Sequence, residues 1–184
     1  APSSVSTKRQ LYITGNTRIG GNLTIRPGAA NIVRVSSPTA GTTLYLAGDL
    51  VNDGSFHADG FSATALILNG TVPQTLGGTG TFTNSNIRRL TVDNSSGATP
   101  AVDLQASLSV SDALTLSNGT LGSTNSSVLT LGKPATATTL NVSRSAGSIT
   151  MATVLATAGI TTWNCTYGNG TAVPAIATGP ELPA

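Results

Sequence analysis

The chain holds one cysteine, one histidine, one methionine and one tryptophan among 184 residues, and only 9% of it is charged. The single thiol, Cys165, excludes an intrachain disulfide and leaves either a buried inert side chain or a bridge between chains. Glu181 is the sole glutamate and lysines are few. Glycine and β-branched residues interrupt every 3.6-residue pattern, so regular amphipathic helix is excluded. The Ala-rich patch 152–158 is the one window that suits helix, and it suits strand as well. No run reaches the roughly 18 apolar residues of a membrane helix. Aromatics make up 4%, at Tyr12, Tyr45, Phe56, Phe61, Phe82, Trp163 and Tyr167, scattered along the whole length. Nine cations stand against seven anions without a long run of either sign, Lys8-Arg9 and Arg88-Arg89 being the densest points. A nucleic-acid surface, which needs a basic stripe and stacking rings, is not expected.

What is present is strand-forming polar residue and a repeat. Hydrophobic residues are 39% and the mean hydropathy is +0.15, so the chain is not a disordered polyelectrolyte. Leu23-Thr24-Ile25, Leu44-Tyr45-Leu46, Leu66-Ile67-Leu68, Leu90-Thr91-Val92 and Leu114-Thr115-Leu116 start 21, 22, 24 and 24 residues apart. Each apolar-x-apolar triplet delivers one short strand to a layer, and most are followed by a turn residue. Leu140-Asn141-Val142 and Ile160-Thr161-Thr162 extend the series.

A second series follows after each turn: Ile32 to Val35, Ser55 to His57, Thr81 to Thr83, Val102 to Leu104, Val128 to Leu131 and Ile149 to Met151. A weaker third is seen at Leu50-Val51, Leu108-Ser109-Val110 and Leu121. This predicts an all-β, single-domain parallel β-helix, right-handed by the general crossover preference, with little or no helix. About seven rungs would give a rod roughly 35 Å long. Residues 1–10 read as an N-terminal arm or added strand, 11–170 as the solenoid, and 171–184, with Pro174, Pro180 and Pro183, as a tail unsuited to a central strand. No cap is legible at either end, although solenoid ends expose core and unpaired backbone.

Chemistry is sparse. The acids are Asp49, Asp53, Asp59, Asp93, Asp103, Asp112 and Glu181, and most adjoin Gly, Asn or Ser, where Asp is a turn residue. His57 lies between Asp53-Gly54 and Asp59-Gly60. Alternation puts His57 and Asp59 on one side of a strand, which suits a metal or a base, while the two Asp-Gly pairs bracket a strand between corners. The corner reading fits more of the segment. Gly77-Gly78-Thr79-Gly80 lacks the Asp of a calcium roll and the Lys of a phosphate loop, so it reads as a corner. Thr81-Phe82-Thr83 and Thr136-Ala137-Thr138 are isolated Thr pairs, not repeated on successive rungs of one face as an ice-binding array requires. Eight Asn-x-Ser/Thr sequons start at Asn22, Asn69, Asn94, Asn118, Asn125, Asn141, Asn164 and Asn169; composition alone accounts for most. No catalytic, cofactor-binding or metal residue is assigned, and no cofactor is expected.

Residues 44–56 (LYLAGDLVNDGSF), 87–97 (IRRLTVDNSSG) and 114–121 (LTLSNGTL) resemble the repeats of secreted bacterial β-solenoid surface proteins, adhesin-like and of the Bacteroidota type. The resemblance covers roughly residues 40 to 132 and implies architecture and export, with no catalytic or ligand residue to carry over. Ala1 without an initiator Met, Met151 being the only methionine, fits a removed signal peptide or a fragment of a longer chain, the first being the favoured expectation. The expected function is that of an extracellular structural protein, not an enzyme, assembling through its solenoid ends and terminal segments as a homo-oligomer or head-to-tail polymer into a fibre or surface layer. The alternative is an adhesin that binds a surface glycan. A polysaccharide-active enzyme and an ice-binding protein fit less of the sequence.

Overall fold

A computed structural model describes residues 9–28, 30–35, 41–58, 64–132, 138–150, 154–156 and 160–167. Among these there is no helix. Every strand pairing is parallel, and the chain winds as a three-faced β-solenoid. The first face stacks β1 (Arg9–Ile13), β4 (Asn31–Val35), β7 (Ser55–Ala58), the first half of β10 (Thr81–Asp93), the first half of β12 (Leu108–Asn118), β14 (Leu129–Leu131) and β17 (Val154–Ala156). The second stacks β2 (Thr17–Ile19), β5 (Thr43–Leu46), β8 (Ala65–Leu68), the second halves of β10 and β12, β15 (Thr138–Arg144) and β18 (Ile160–Tyr167). The third stacks β3 (Leu23–Ile25), β6 (Leu50–Asn52), β9 (Gln74–Gly77), β11 (Val102–Leu104), β13 (Thr120–Gly122) and β16 (Ser148–Ile149). β17 occupies part of the Ala-rich patch, which is therefore strand there.

Alternation fixes what faces inward. Leu44 and Leu46, Leu66 and Leu68, Leu90 and Val92, and Leu114 and Leu116 are buried in consecutive turns of the second face, with residues between them turned outward. Val33, Phe56 and Phe82 stack in register on the first face, the two rings meeting edge to face with centroids 6.0 Å apart. Four turns, from β4 to β13, carry fully buried apolar side chains on all three faces. The turns on either side do so on only two, with Ile19 and Ile149 partly buried. The closed core thus amounts to about five turns rather than the seven expected rungs. The outermost turns add strands faster than they add core.

The phase of the repeat also needs correction. Leu23-Thr24-Ile25 lies on the third face beneath Leu50-Val51-Asn52, and Thr17-Arg18-Ile19 takes its expected place beneath Leu44. Likewise Val102 to Leu104 and Ile149 belong to the third face, while Leu108 to Val110 belongs to the first. On β15, Val142 rather than Leu140 is in register with Leu114, and Trp163 rather than Ile160 stands opposite Leu140. An apolar-x-apolar triplet carries no label for its face. Connections of unequal length between faces set the phase.

A polar staple crosses the interior where the second face meets the third. Gln74 is 2% exposed and every hydrogen-bonding site on its amide is filled. Its Nε2 donates to Leu46 O at 3.0 Å and Gly48 O at 2.6 Å. Its Oε1 accepts from Gly70 N at 2.8 Å and from Asn94 Nδ2 at 2.9 Å. Asn94, fully buried, also donates to Val72 O and accepts from Ser96 N. Three successive turns are pinned through two amides, each in an environment where an unmade bond costs about 1–3 kcal/mol.

Two substitutions separate apolar from polar support. Phe56→Ala is expected to lower unfolding free energy by about 3–5 kcal/mol through loss of transfer energy and the cavity left behind. Gln74→Leu keeps the apolar volume but strands Gly48 O, Gly70 N and one amide N–H of Asn94, Leu46 O keeping its bond from Asn69 N, and is expected to cost about 3 kcal/mol or more. Urea denaturation followed by circular dichroism checks both; a Gln74→Leu protein as stable as wild type would show that the staple is dispensable.

Candidate functional site

The corners are where the strand ladder stops, and polar side chains complete it there. Asn16 Oδ1 accepts from Thr43 N at 3.0 Å, and Asn22 Oδ1 accepts from Asp49 N at 2.8 Å. Asp49 Oδ1 accepts from Thr75 N at 2.8 Å. Asp53 Oδ1 accepts from both Thr79 N and Thr79 Oγ1 at 2.9 Å. Asp103 accepts from Thr124 N at 2.9 Å and from Thr124 Oγ1 at 2.6 Å. In each pair the acceptor belongs to the earlier turn and the backbone donor to the next. The turn role expected of Asp49 and Asp53 holds, Asp103 lies within β11 instead, and all three have a further function: they tie adjacent turns together.

Gly77 to Gly80 is a corner directly above Asn52 to Gly54. Gly78 has φ of +111°, and a Cβ there would lie 2.1 Å from Asn52 O, so only glycine fits.

His57 sits on the outer side of β7, half-buried, and its Nδ1 accepts from Arg34 Nη1 at 2.9 Å, which leaves the ring proton on Nε2. Register places Tyr12, Arg34 and His57 in one outward row. Asp59, expected beside His57, lies outside the described residues, as do residues 1–8 and 171–184 of the two terminal segments. Among the described residues no group of three or more His, Cys, Asp and Glu side chains could hold a metal ion. Arg88 and Arg89 converge on Asp112, Arg89 Nε donating to it at 2.8 Å and Arg88 Nε lying 3.7 Å away.

Among the described side chains the aromatics are not gathered. Phe56 and Phe82 are core, Tyr12 is on the first face, and Tyr45 is on the second beneath the Arg18 guanidinium, 4.0 Å from the ring centroid. Of the sequons, Asn94 is consumed by the interior staple. Thr136 and Ala137 lie outside the described residues. Thr81 Oγ1 shares a hydrogen bond with Ser55 Oγ at 2.8 Å. A hydroxyl row the sequence did not disclose runs through Thr91, Thr115 and Ser143 on the second face, with Ser143 Oγ donating to Thr115 Oγ1 at 3.0 Å. It is legible only once the 24- and 28-residue spacings are known to be single turns.

The feature most open to a partner is the N-terminal end. β1, β2 and β3 each pair on one side only among the described residues. Leu11 is in register with the buried Val33 yet is 54% exposed. An open hollow of about 410 Å³ lies there, bounded by Arg9, Gln10, Leu11, Ile25, Arg26 and Asn31 among others. No helix among the described residues is long and apolar enough to cross a membrane.

The corner carboxylates make stability depend on acid. Backbone and side-chain hydrogen bonds from Thr79 hold the Asp53 carboxyl below its ordinary 3.8. Burial pushes Asp103 upward, but hydrogen bonds from Thr124 and Gln105 outweigh it and hold that group low as well. Groups depressed on folding contribute stability that is full above about pH 4 and is lost as pH falls through their folded-state values. The Asp53→Asn/Asp103→Asn protein is therefore expected to lose less stability than wild type between about pH 4 and pH 2, measured by thermal melts across that range. Parallel curves for the two proteins would contradict this.

Compared with protein-family models, curated proteins and solved structures, the chain matches none.

Proposed function

We propose that this chain is an extracellular structural protein, a solenoid segment that assembles end to end into a fibre or surface layer. The carrying observation is the first turn. Its inward Leu11 is half open to water, and three strands have no partner on the same side among the described residues. An exposed strand edge is a template for another chain, and a head-to-tail contact between copies does not close on itself, so it propagates.

Three further observations support the reading. Asp49, Asp53 and Asp103 are engaged in holding turns together, and Asp112 in holding Arg89, so these carboxylates serve architecture. The exterior is built mostly of small polar residues. The resemblance of residues 40–132 to secreted repeats supports export. On the solenoid faces, a glycan-binding reading draws on one feature, the uncharged row Thr91, Thr115 and Ser143, beside which no aromatics are gathered among the described residues.

Light scattering and electron microscopy over a concentration series test the proposal. Wild type is expected to form filaments or growing oligomers. Leu11→Asn, which leaves charge and the half-exposed site unchanged in size, is expected to raise the threshold concentration at least tenfold. A wild-type protein that stays monomeric at high concentration across salt and pH would overturn the assembly reading, and hits on a glycan array from such a monomer would favour the other.

A further inference from the structure

Charge is segregated along this solenoid. Lys8, Arg9, Arg18, Arg26 and Arg34 precede the first acid, Asp49, whereas Asp49, Asp53, Asp59, Asp93, Asp103 and Asp112 share residues 49–112 with only Arg88 and Arg89. The winding turns this sequence bias into a ring. Arg9 opens β1, Arg18 is central in β2, and Arg26 directly follows β3, so the first turn carries one exposed guanidinium on or beside each face. None of the three is ion-paired among the described residues. Arg18 is steadied by stacking on Tyr45.

Arg9 and Arg26 flank the hollow at this end. Leu11, Ile25 and Val33 supply its apolar lining, and Gln10, Thr24 and Asn31 its uncharged polar groups. We propose that this end is a binding site for carboxylate-bearing polysaccharide. Guanidinium forks take carboxylates in paired hydrogen bonds, and the amide and hydroxyl groups between them suit the hydroxyls of a sugar.

A second observation points to the same ligand chemistry. Inside the solenoid, corner N–H groups of a later turn are received by a carboxylate of the earlier one, as Thr75, Thr79 and Thr124 are by Asp49, Asp53 and Asp103. By register Asn16 and Asn22 hold in the first turn the places of Thr43 and Asp49, whose N–H groups are received by the turn before, and no turn is described beneath them. The described closing turns that a second copy would set beneath it, within residues 113–167, contain no Asp or Glu. A duplex nucleic acid fits less well, since the cations sit at one end rather than in a stripe. The site goes beyond the assembly reading and does not need it. Where filaments form, only the copy at one tip keeps this end open, so polymer binding and growth at that end compete.

The test uses the full chain below any concentration at which light scattering rises, titrated with polygalacturonate, neutral dextran, duplex DNA and anionic phospholipid vesicles. Binding to polygalacturonate alone, weakening as salt is raised, is expected. Arg9→Gln/Arg26→Gln should weaken it at least tenfold, Arg9→Lys/Arg26→Lys by an intermediate factor, and Arg144→Gln not at all, with thermal melts confirming that each folds. Equal binding to dextran, to DNA or to vesicles, or unchanged affinity in both Arg9/Arg26 variants, would overturn the proposal. Because the titration uses monomer, its failure leaves the assembly reading standing, and the reverse also holds.

Discussion

Everything in this structure depends on the parallel ladder that lays each turn on the one before. Once strands pair in parallel and in register, a residue has as its closest neighbour not the one beside it in sequence but the one a full turn away. Inward columns must then be apolar in turn after turn, and Val33, Phe56 and Phe82 illustrate how size can vary within a column while chemistry does not. Outward columns are free of that demand, which is why Tyr45, Ile67, Thr91, Thr115 and Ser143 can follow one another on the second face.

The corners and the interior staple are the two places where the ladder needs help. At corners the backbone turns and its N–H groups lose their strand partners, so Asn and Asp reach across to the next turn. At the junction of the second and third faces the chain from Asn69 to Pro73 interrupts the ladder, and Gln74 with Asn94 satisfies the carbonyls and amide left inside. Polar residues buried in this manner specify register, because a shift of one residue would carry a satisfied amide to the outside and an aliphatic chain to the corner.

The class of fold was legible in the triplets themselves, and Leu44, Leu66, Leu90 and Leu114 do form one column. Face assignment was not. Leu23 to Ile25 and Val102 to Leu104 look like their neighbours, and the distance from one face to the next changes with each connection. The Asp53-Gly54 and Gly77-Gly78 corners were readable because turn chemistry, joined at Gly78 by a positive φ, is a local property. Gln74 gave no signal, since a glutamine in a strand-like run looks like solvent-facing polarity until three turns close around it. The first-turn arginines at 9, 18 and 26 were equally silent: only a triangular cross-section turns spacings of nine and eight residues into a ring. Leu11 was unremarkable for the same reason, being a core residue by pattern and an exposed one by position.

The corner hydrogen bonds also have a sense. At Asn16, Asn22, Asp49, Asp53 and Asp103 the side-chain acceptor lies on the earlier turn and the backbone donor on the later, while Ala101 N donates the other way, to Thr120 Oγ1. The solenoid is therefore not the same upside down: at these five positions the donors face the opening end and the acceptors face the later turns. Two such rods brought together head to head would set donor against donor at these positions, whereas head to tail the donors of one would face the closing turns of the other. Orientation in an array would thus be decided by the corners, one hydrogen bond at a time, before any apolar surface is buried.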